Sequence, residues 1–179
     1  MSEIIISVDE NGRITGTVDK MQAHKKGKLH RAFSIFIFNT AGQLLLQQRA
    51  ADKYHSGTKW SNTCCGHPKI GQPTNNAANR RLQEEMGFAC DLDEVFTFRY
   101  CETLENGLIE NEFDHVFFGV SNLPPVPNPL EVMDFKYMTL EELALDLQAN
   151  PDDYTIWFKI CFAQVLVEVK KNKLNEATI

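Results

Sequence analysis

No stretch of this chain is apolar for long enough to cross a bilayer. The longest strongly apolar run, about half a dozen residues around Phe33 to Phe38, falls well short of the ~20 that a spanning helix needs. Met1 to Val8 lacks the basic flank and apolar centre of a signal peptide, so the sequence predicts a cytoplasmic protein with no membrane partner. Basic residues are also in deficit, 18 Lys and Arg against 24 Asp and Glu, giving a net charge of −6. A nucleic acid held through its phosphates would favour a basic face, and no such partner is expected. A small anionic ligand is compatible with this balance, since a few local cations suffice. The five cysteines (64, 65, 90, 101 and 161) are odd in number and lack C-x-x-C spacing, which argues against a disulfide scaffold or a zinc clip and predicts reduced thiols. Internal repeats and low-complexity segments are missing too. What remains is 179 residues, 43% hydrophobic and 23% charged, the size and composition of one soluble domain with a real core.

Taken in order, Ile4 to Val8 and Ile14 to Val18 read as short strands around an Asn11-Gly12 hairpin turn. Lys20 to His24 reads as a helical turn, followed by a basic, Gly-containing loop through Lys28. The β-branched and aromatic run Ala32 to Phe38 reads as a buried strand, and Leu44 to Leu46 as another, ending at Gln48-Arg49. Thr74 to Met86 reads as a helix with Thr74 or Asn75 as its cap and Gly87 at the left-handed C-terminal position. Strands are expected within Cys90 to Tyr100 and over Ile109 to Val120, joined at Asn106-Gly107. A proline-stiffened segment, Leu123 to Pro129, leads to a strand over Met133 to Met138. Thr139 with Glu142 forms a capping box for a helix to about Gln148, and a final helix with an apolar docking face runs over about 152–171.

The chemistry concentrates at Lys59-Trp60-Ser61-Asn62-Thr63-Cys64-Cys65-Gly66-His67-Pro68. Two-residue spacing in an extended segment aims Cys65 and His67 at one face, glycine permits close approach of a ligand, and proline ends the segment. Alone, Cys-Gly-His is as compatible with a buried thiol beside a surface imidazole. Downstream, Glu110-Asn111-Glu112 lies in an expected strand, where alternation puts both carboxylates on one face. Such a pair is commonly a solvent face, and His24 and His30 would each commonly be surface residues. Together with His67, though, they make three imidazoles and two carboxylates, a set suited to Zn²⁺ or Mn²⁺, or to Mg²⁺. His115 falls on the opposite strand face from Glu112 and His55 in a polar loop, and both stay unassigned.

From Gly66 the chain fits a known frame: five residues, Gln72, seven more, then Arg80-Arg81-Leu82-Gln83-Glu84-Glu85-Met86-Gly87-Phe88. This resembles the Nudix box, a loop-helix-loop over about 66–88 that holds metal ions against a diphosphate. Two of its glutamates are replaced, by Gln72 and Arg81. Arg81 and Glu85 share a helical face, so a cation stands beside the remaining carboxylate. Without the frame, Arg80–Glu84 and Arg81–Glu85 would be solvated helix salt bridges. A box stripped of hydrolytic acids suggests that diphosphate is bound without being cleaved.

The wider pattern resembles the type 1 isopentenyl-diphosphate isomerases over nearly the whole chain. The matching positions are Lys20 and His24, Leu29 to Ser34, Gln48 to Ala50 with Lys53, Trp60 to Asn62, Cys65 to Pro68, Glu110 to Glu112 and Trp157. The resemblance implies an α/β (α+β) fold, a Nudix-like mixed sheet flanked by helices in a single domain, 1–179. It implies conversion of isopentenyl diphosphate to dimethylallyl diphosphate, with Cys65 as the acid, Glu112 handling the opposite proton, Tyr100 bonded to that carboxylate and Trp157 facing a carbocation. It also implies a metal site of His24, His30, His67, Glu110 and Glu112, and a Mg²⁺ site at Glu85 with the Cys65 carbonyl. Lys20, Arg49, Lys53 and Arg81 would contact the diphosphate of a protein acting as a monomer or weak homodimer. Tyr54-His55-Ser56 departs from the Trp-Pro type sequence common in that family, and Cys64 beside Cys65 is a local variation. Two other readings stay open on these residues: a true Nudix hydrolase, and a non-catalytic module binding metal or diphosphate.

Overall fold

The computed structural model describes residues 3–176, folded as one mixed β-sheet between two helical layers. Strand β3 (His30–Phe38) is its spine, because its alternating side chains serve two different interiors. Phe33, Ile35 and Ile37 point to the layer of helix α2 (Thr74–Met86), against Ala77, Ala78, Leu82 and Met86. Phe36 and Phe38 point the other way, against Tyr154, Trp157, Phe158 and Phe162, which lie on helix α4 (Ile156–Glu176) and the segment entering it. Phe33, Ile35, Phe36 and Ile37 are fully buried, and each such side chain contributes about 1.5–3 kcal/mol relative to exposure.

On one side β3 runs parallel to β8 (Ile109–Val120) along its whole length, and β8 pairs antiparallel with β7 (Asp93–Thr103). On the other side β3 meets three strands in succession. They are β1 (Ile4–Val8) at His30, β6 (Cys64–Gly66) at Phe33 to Ile35, and β4 (Leu44–Arg49) at Ile37 and Phe38. β2 (Ile14–Asp19) pairs with β1; β5 (Trp60–Ser61) and β9 (Val132–Met138) pair with β4. Because β3 changes partner along one edge, from β1 to β6 to β4, strands distant in sequence bring their polar side chains together beside it.

Several local expectations need correction. The first helix, α1 (Lys20–Lys26), outruns the expected single turn, because Asp19 accepts the Gln22 amide at its start and Gly27, at φ 62°, ends it. Neither Thr74 nor Asn75 caps α2: Pro73 occupies that position with no side-chain bond, while the Asn75 amide donates to the Leu92 carbonyl. The last helix is not continuous from residue 152. A 3-10 turn, Pro151–Asp153, is followed by extended Tyr154, and α4 begins at Ile156 because the Thr155 amide donates to the Trp60 carbonyl. The capping box of helix α3 (Leu140–Ala149) forms as expected, with Thr139 and Glu142 exchanging hydrogen bonds.

Candidate active site and metal centre

The register of the sheet assembles the site. His30 of β3 lies directly opposite Glu112 of β8, and Glu112 lies directly opposite Tyr100 of β7. On the other side of β3, Ser34 faces Cys65 of β6. Three side chains distant in sequence are thereby set side by side, and the thiol approaches the same cavity from the opposite flank. The cavity, of about 220 Å³, is lined by Cys65, Glu112, Tyr100 and Trp157 on its inner walls, with Lys20, Arg49, Lys53 and Arg81 also in its lining. Glu85, Glu110 and His67 complete that lining, while His24 and His30 are fully buried. Of the residues expected at the site, His24 and His30 do not line the cavity and instead lie against Glu110 and Glu112.

Cys65 is partly buried and its Sγ lies 3.9 Å from Nη1 of Arg49. Burial pushes the thiol up to about 12, against the pull of Arg49, so it carries its proton. The Tyr100 hydroxyl donates to Glu112 Oε2 at 2.6 Å, and burial together with Glu112 keeps the phenol protonated. Glu112 is itself held well below the usual carboxylate range: burial opposes this, but contacts with His30 and His67 prevail. The Trp157 indole N–H donates to Asn62 Oδ1 at 3.3 Å, and the Arg49 guanidinium lies 5.2 Å from the ring centre.

Carboxylate oxygens face imidazole nitrogens in the deepest part of the site. His24 Nε2 lies 3.4 Å from Glu110 Oε2, His30 Nε2 3.4 Å from Glu112 Oε1, and His67 Nε2 3.0 Å from that same oxygen. The Nδ1 atoms of His24 and His30 sit 2.7 and 2.8 Å from the carbonyls of Lys20 and Lys28. A carbonyl only accepts, so in the neutral rings the proton is on Nδ1 and the Nε2 lone pair is aimed at a carboxylate. Lone pairs facing one another in a buried site call for a cation between them, and His30 Nε2 and Glu110 Oε2 have no hydrogen-bond partner. The donor set therefore fits a divalent metal, with His24, His30, His67 and Glu112 close enough to share one ion. Burial drives the His67 pKa down to about 4, which favours the neutral, ligating form.

Three of the four cavity cations, Lys20, Lys53 and Arg81, are already paired with carboxylates. Lys20 bonds Glu3 at 2.9 Å, Lys53 bonds Glu131, and Arg81 bonds Glu85 while lying 3.3 Å from Glu131. Glu3 and Glu131 carry no sequence signal. Gln72 is outside the cavity, its side-chain oxygen within 3.4–3.5 Å of the Lys69 amide and Arg80. His55, left unassigned as a polar loop residue, is buried with Nε2 2.8 Å from Glu110 Oε1. Asp114 was also missed: it is buried, accepts from Ser34 Oγ at 2.7 Å, and is held well above its usual range by burial and by Glu112. The run Glu110, Glu112, Asp114 at two-residue spacing was a legible signal for it. His115 lies on the other face, 2.8 Å from Glu94, and Cys64 is in the α2 core.

Fold and site together define a Nudix-domain protein: the family model described as NUDIX domain matches residues 28–158. Among solved structures, one from Deinococcus radiodurans superposes with a TM-score of 0.69 at 20% identity, covering 83% of this chain and 90% of that one, a likeness of fold. Curated relatives are far closer in sequence. The isopentenyl-diphosphate Delta-isomerase of Pectobacterium atrosepticum is 49% identical over 92% of both chains. The isopentenyl-diphosphate Delta-isomerase 1 of Aromatoleum aromaticum is 53% identical over 93% of this chain and 94% of its own. The chain belongs to the isopentenyl-diphosphate Delta-isomerase family of Nudix-fold enzymes. No helix among the described residues is long and apolar enough to cross a membrane.

Proposed function

We propose that the protein interconverts isopentenyl diphosphate and dimethylallyl diphosphate by a 1,3-proton shift, with Cys65 and Glu112 as the two proton-handling groups. The observation that carries this reading is a protonated thiol and a tyrosine-bonded carboxylate approaching one cavity from opposite flanks of β3. Cys65 gives its proton to the terminal alkene carbon, which leaves a tertiary cation. Glu112 removes a proton from C2, and the double bond re-forms between C2 and C3. An alkene is a poor base, so both groups must be positioned and kept from water. Trp157 faces the cation with its ring, an interaction worth roughly 2 kcal/mol or more when desolvated.

Lys20, Arg49, Lys53 and Arg81 bind the diphosphate, the arginines through planar donor forks suited to phosphate oxygens. Glu85 and the Cys65 carbonyl would hold Mg²⁺ at the diphosphate, and His24, His30, His67, Glu110 and Glu112 would hold Mn²⁺ or Zn²⁺, or Mg²⁺. Bound there, these ions supply positive charge that neutralises the diphosphate and fixes the carboxylates. Arg81 stands beside Glu85 in the cavity where the Nudix frame has a second acid, which favours binding diphosphate over activating water against it. The enzyme is a single domain, 1–179, acting in the cytoplasm as a monomer or weak homodimer, with neither nucleic acid nor membrane as partner.

The test is proton NMR of isopentenyl diphosphate with the protein and Mg²⁺ in D₂O, with Cys65→Ala in parallel. Deuterated dimethylallyl diphosphate from the wild type alone is the expected result. Unchanged substrate, or release of inorganic phosphate, would refute the isomerase reading.

A further inference from the structure

The metal centre contains one imidazole more than the five-residue set accounts for. His55 Nε2 lies 2.8 Å from Glu110 Oε1, while the other oxygen of that carboxylate faces His24. His24, His55 and Glu110 form a second buried cluster that shares His24 with the four-residue cluster of His30, His67 and Glu112. His24 cannot serve two ions, since its Nδ1 is occupied by the Lys20 carbonyl and only Nε2 remains. The two clusters therefore describe one metal centre, which His55 meets through the Glu110 oxygen that does not face His24.

The tautomer distinguishes His55 from the ligands. His24 and His30 are forced by carbonyl partners to keep the proton on Nδ1, which leaves Nε2 bare. The Nδ1 of His55 instead meets the Ser56 hydroxyl at 3.3 Å, a group able to donate. The Ser56 contact leaves His55 free to carry its proton on Nε2, 2.8 Å from a carboxylate oxygen that only accepts, although that pair is off the line of a hydrogen bond. This is the arrangement of an outer partner that orients a metal-binding carboxylate.

The loop is built to hold that ring inward. Ser56 and Thr58 both adopt left-handed backbone, at φ 50° and 66°, unusual for residues other than glycine. Between them a Cβ on Gly57 would lie 2.5 Å from the Ala51 carbonyl oxygen, so this position requires glycine. Arg49 donates to the His55 carbonyl at 3.2 Å, Asn106 donates to the Tyr54 carbonyl at 2.9 Å, and the Tyr54 and Trp157 rings meet the imidazole edge to face.

We infer that His55 is a positioning residue of the metal centre: it holds Glu110 by Oε1 so that Oε2 is presented to the ion beside His24. The inference rests on the metal-site reading above and is tested without catalysis. Metal-free wild type, His55→Ala and His55→Gln are titrated with Zn²⁺ against a chromophoric chelator, and zinc X-ray absorption counts the bound imidazoles. His55→Ala should weaken zinc about 10- to 100-fold, the usual effect of losing an outer partner. His55→Gln, which keeps an N–H donor, should recover part of that loss, and the imidazole count should be the same in all three. Wild-type affinity in His55→Ala overturns the inference. A count lower by one in the variants also overturns it, making His55 a ligand. Failure of the wild type to bind any zinc removes the metal reading itself, whereas loss of isomerase activity in the NMR assay leaves this result untouched.

Discussion

Replacing Tyr100 by phenylalanine removes one oxygen from the site and little else. The ring stacks on Phe98 at 5.5 Å with 18° between planes, and the packing survives because phenylalanine has the same outline. What is lost is the 2.6 Å hydrogen bond to Glu112 Oε2, made where both residues are more than nine-tenths buried. A hydrogen bond to a charged group contributes about 1.5–3 kcal/mol, and a buried acceptor deprived of its donor loses the full amount. At about 1.4 kcal/mol per tenfold, kcat should fall about 10- to 150-fold. The other oxygen, Oε1, keeps its contacts with His30 and His67, so metal affinity should change far less than kcat. The cations proposed to bind diphosphate are untouched, so KM should stay near wild type. Steady-state kinetics with saturating Mg²⁺, beside a chelator titration, reads all three quantities. A change confined to KM, or kcat equal to wild type, would show that Tyr100 does not support the reacting carboxylate.

Three further outcomes follow from other parts of the molecule. Glu131 pairs with both Lys53 and Arg81, so Glu131→Gln should free them and tighten inorganic diphosphate binding by up to about fivefold, read by calorimetry. An unchanged affinity would mean that these pairs do not compete with the ligand. Burial lowers the His67 pKa to about 4, so the fold excludes a proton that the unfolded chain takes up below 6.5. The stability this contributes is complete above 6.5 and is lost as pH falls through 4. Urea unfolding of metal-free protein should show roughly 2–3 kcal/mol more loss between pH 7 and 4.5 in wild type than in His67→Asn. Leu82→Ala empties a fully buried position between α2 and the sheet and should lower unfolding stability by about 2–5 kcal/mol, seen as a lower Tm with the active-site geometry intact.

Much of the site was legible because its chemistry is carried by short local patterns. Two-residue spacing alone put Cys65 with His67, and Glu110 with Glu112, on common faces, and the structure keeps both pairings in the cavity. Glycine and capping signals located the turns at Asn11-Gly12 and Asn106-Gly107 and the start of α3, since these depend on residues within one turn of each other. The N-terminal cap of α2 was misread for the converse reason. Asn75 has the right chemistry for a cap, but a distant carbonyl at Leu92 competes for its amide.

The sequence by itself determined the class of chemistry. A thiol, a carboxylate pair, three imidazoles and a Nudix frame missing two acids are properties of residue types and spacings, and no folding can add or remove them. Which of the remaining polar groups join them was decided by tertiary structure. His55 and His115 look alike as isolated imidazoles. One is turned inward to Glu110 by a left-handed loop, and the other is set on the outer face of β8 against Glu94. Glu131, nearly eighty residues from Lys53, reaches the cavity only because β9 pairs with β4. Such placements depend on strand register and loop closure across the whole chain, and a local pattern holds no record of either.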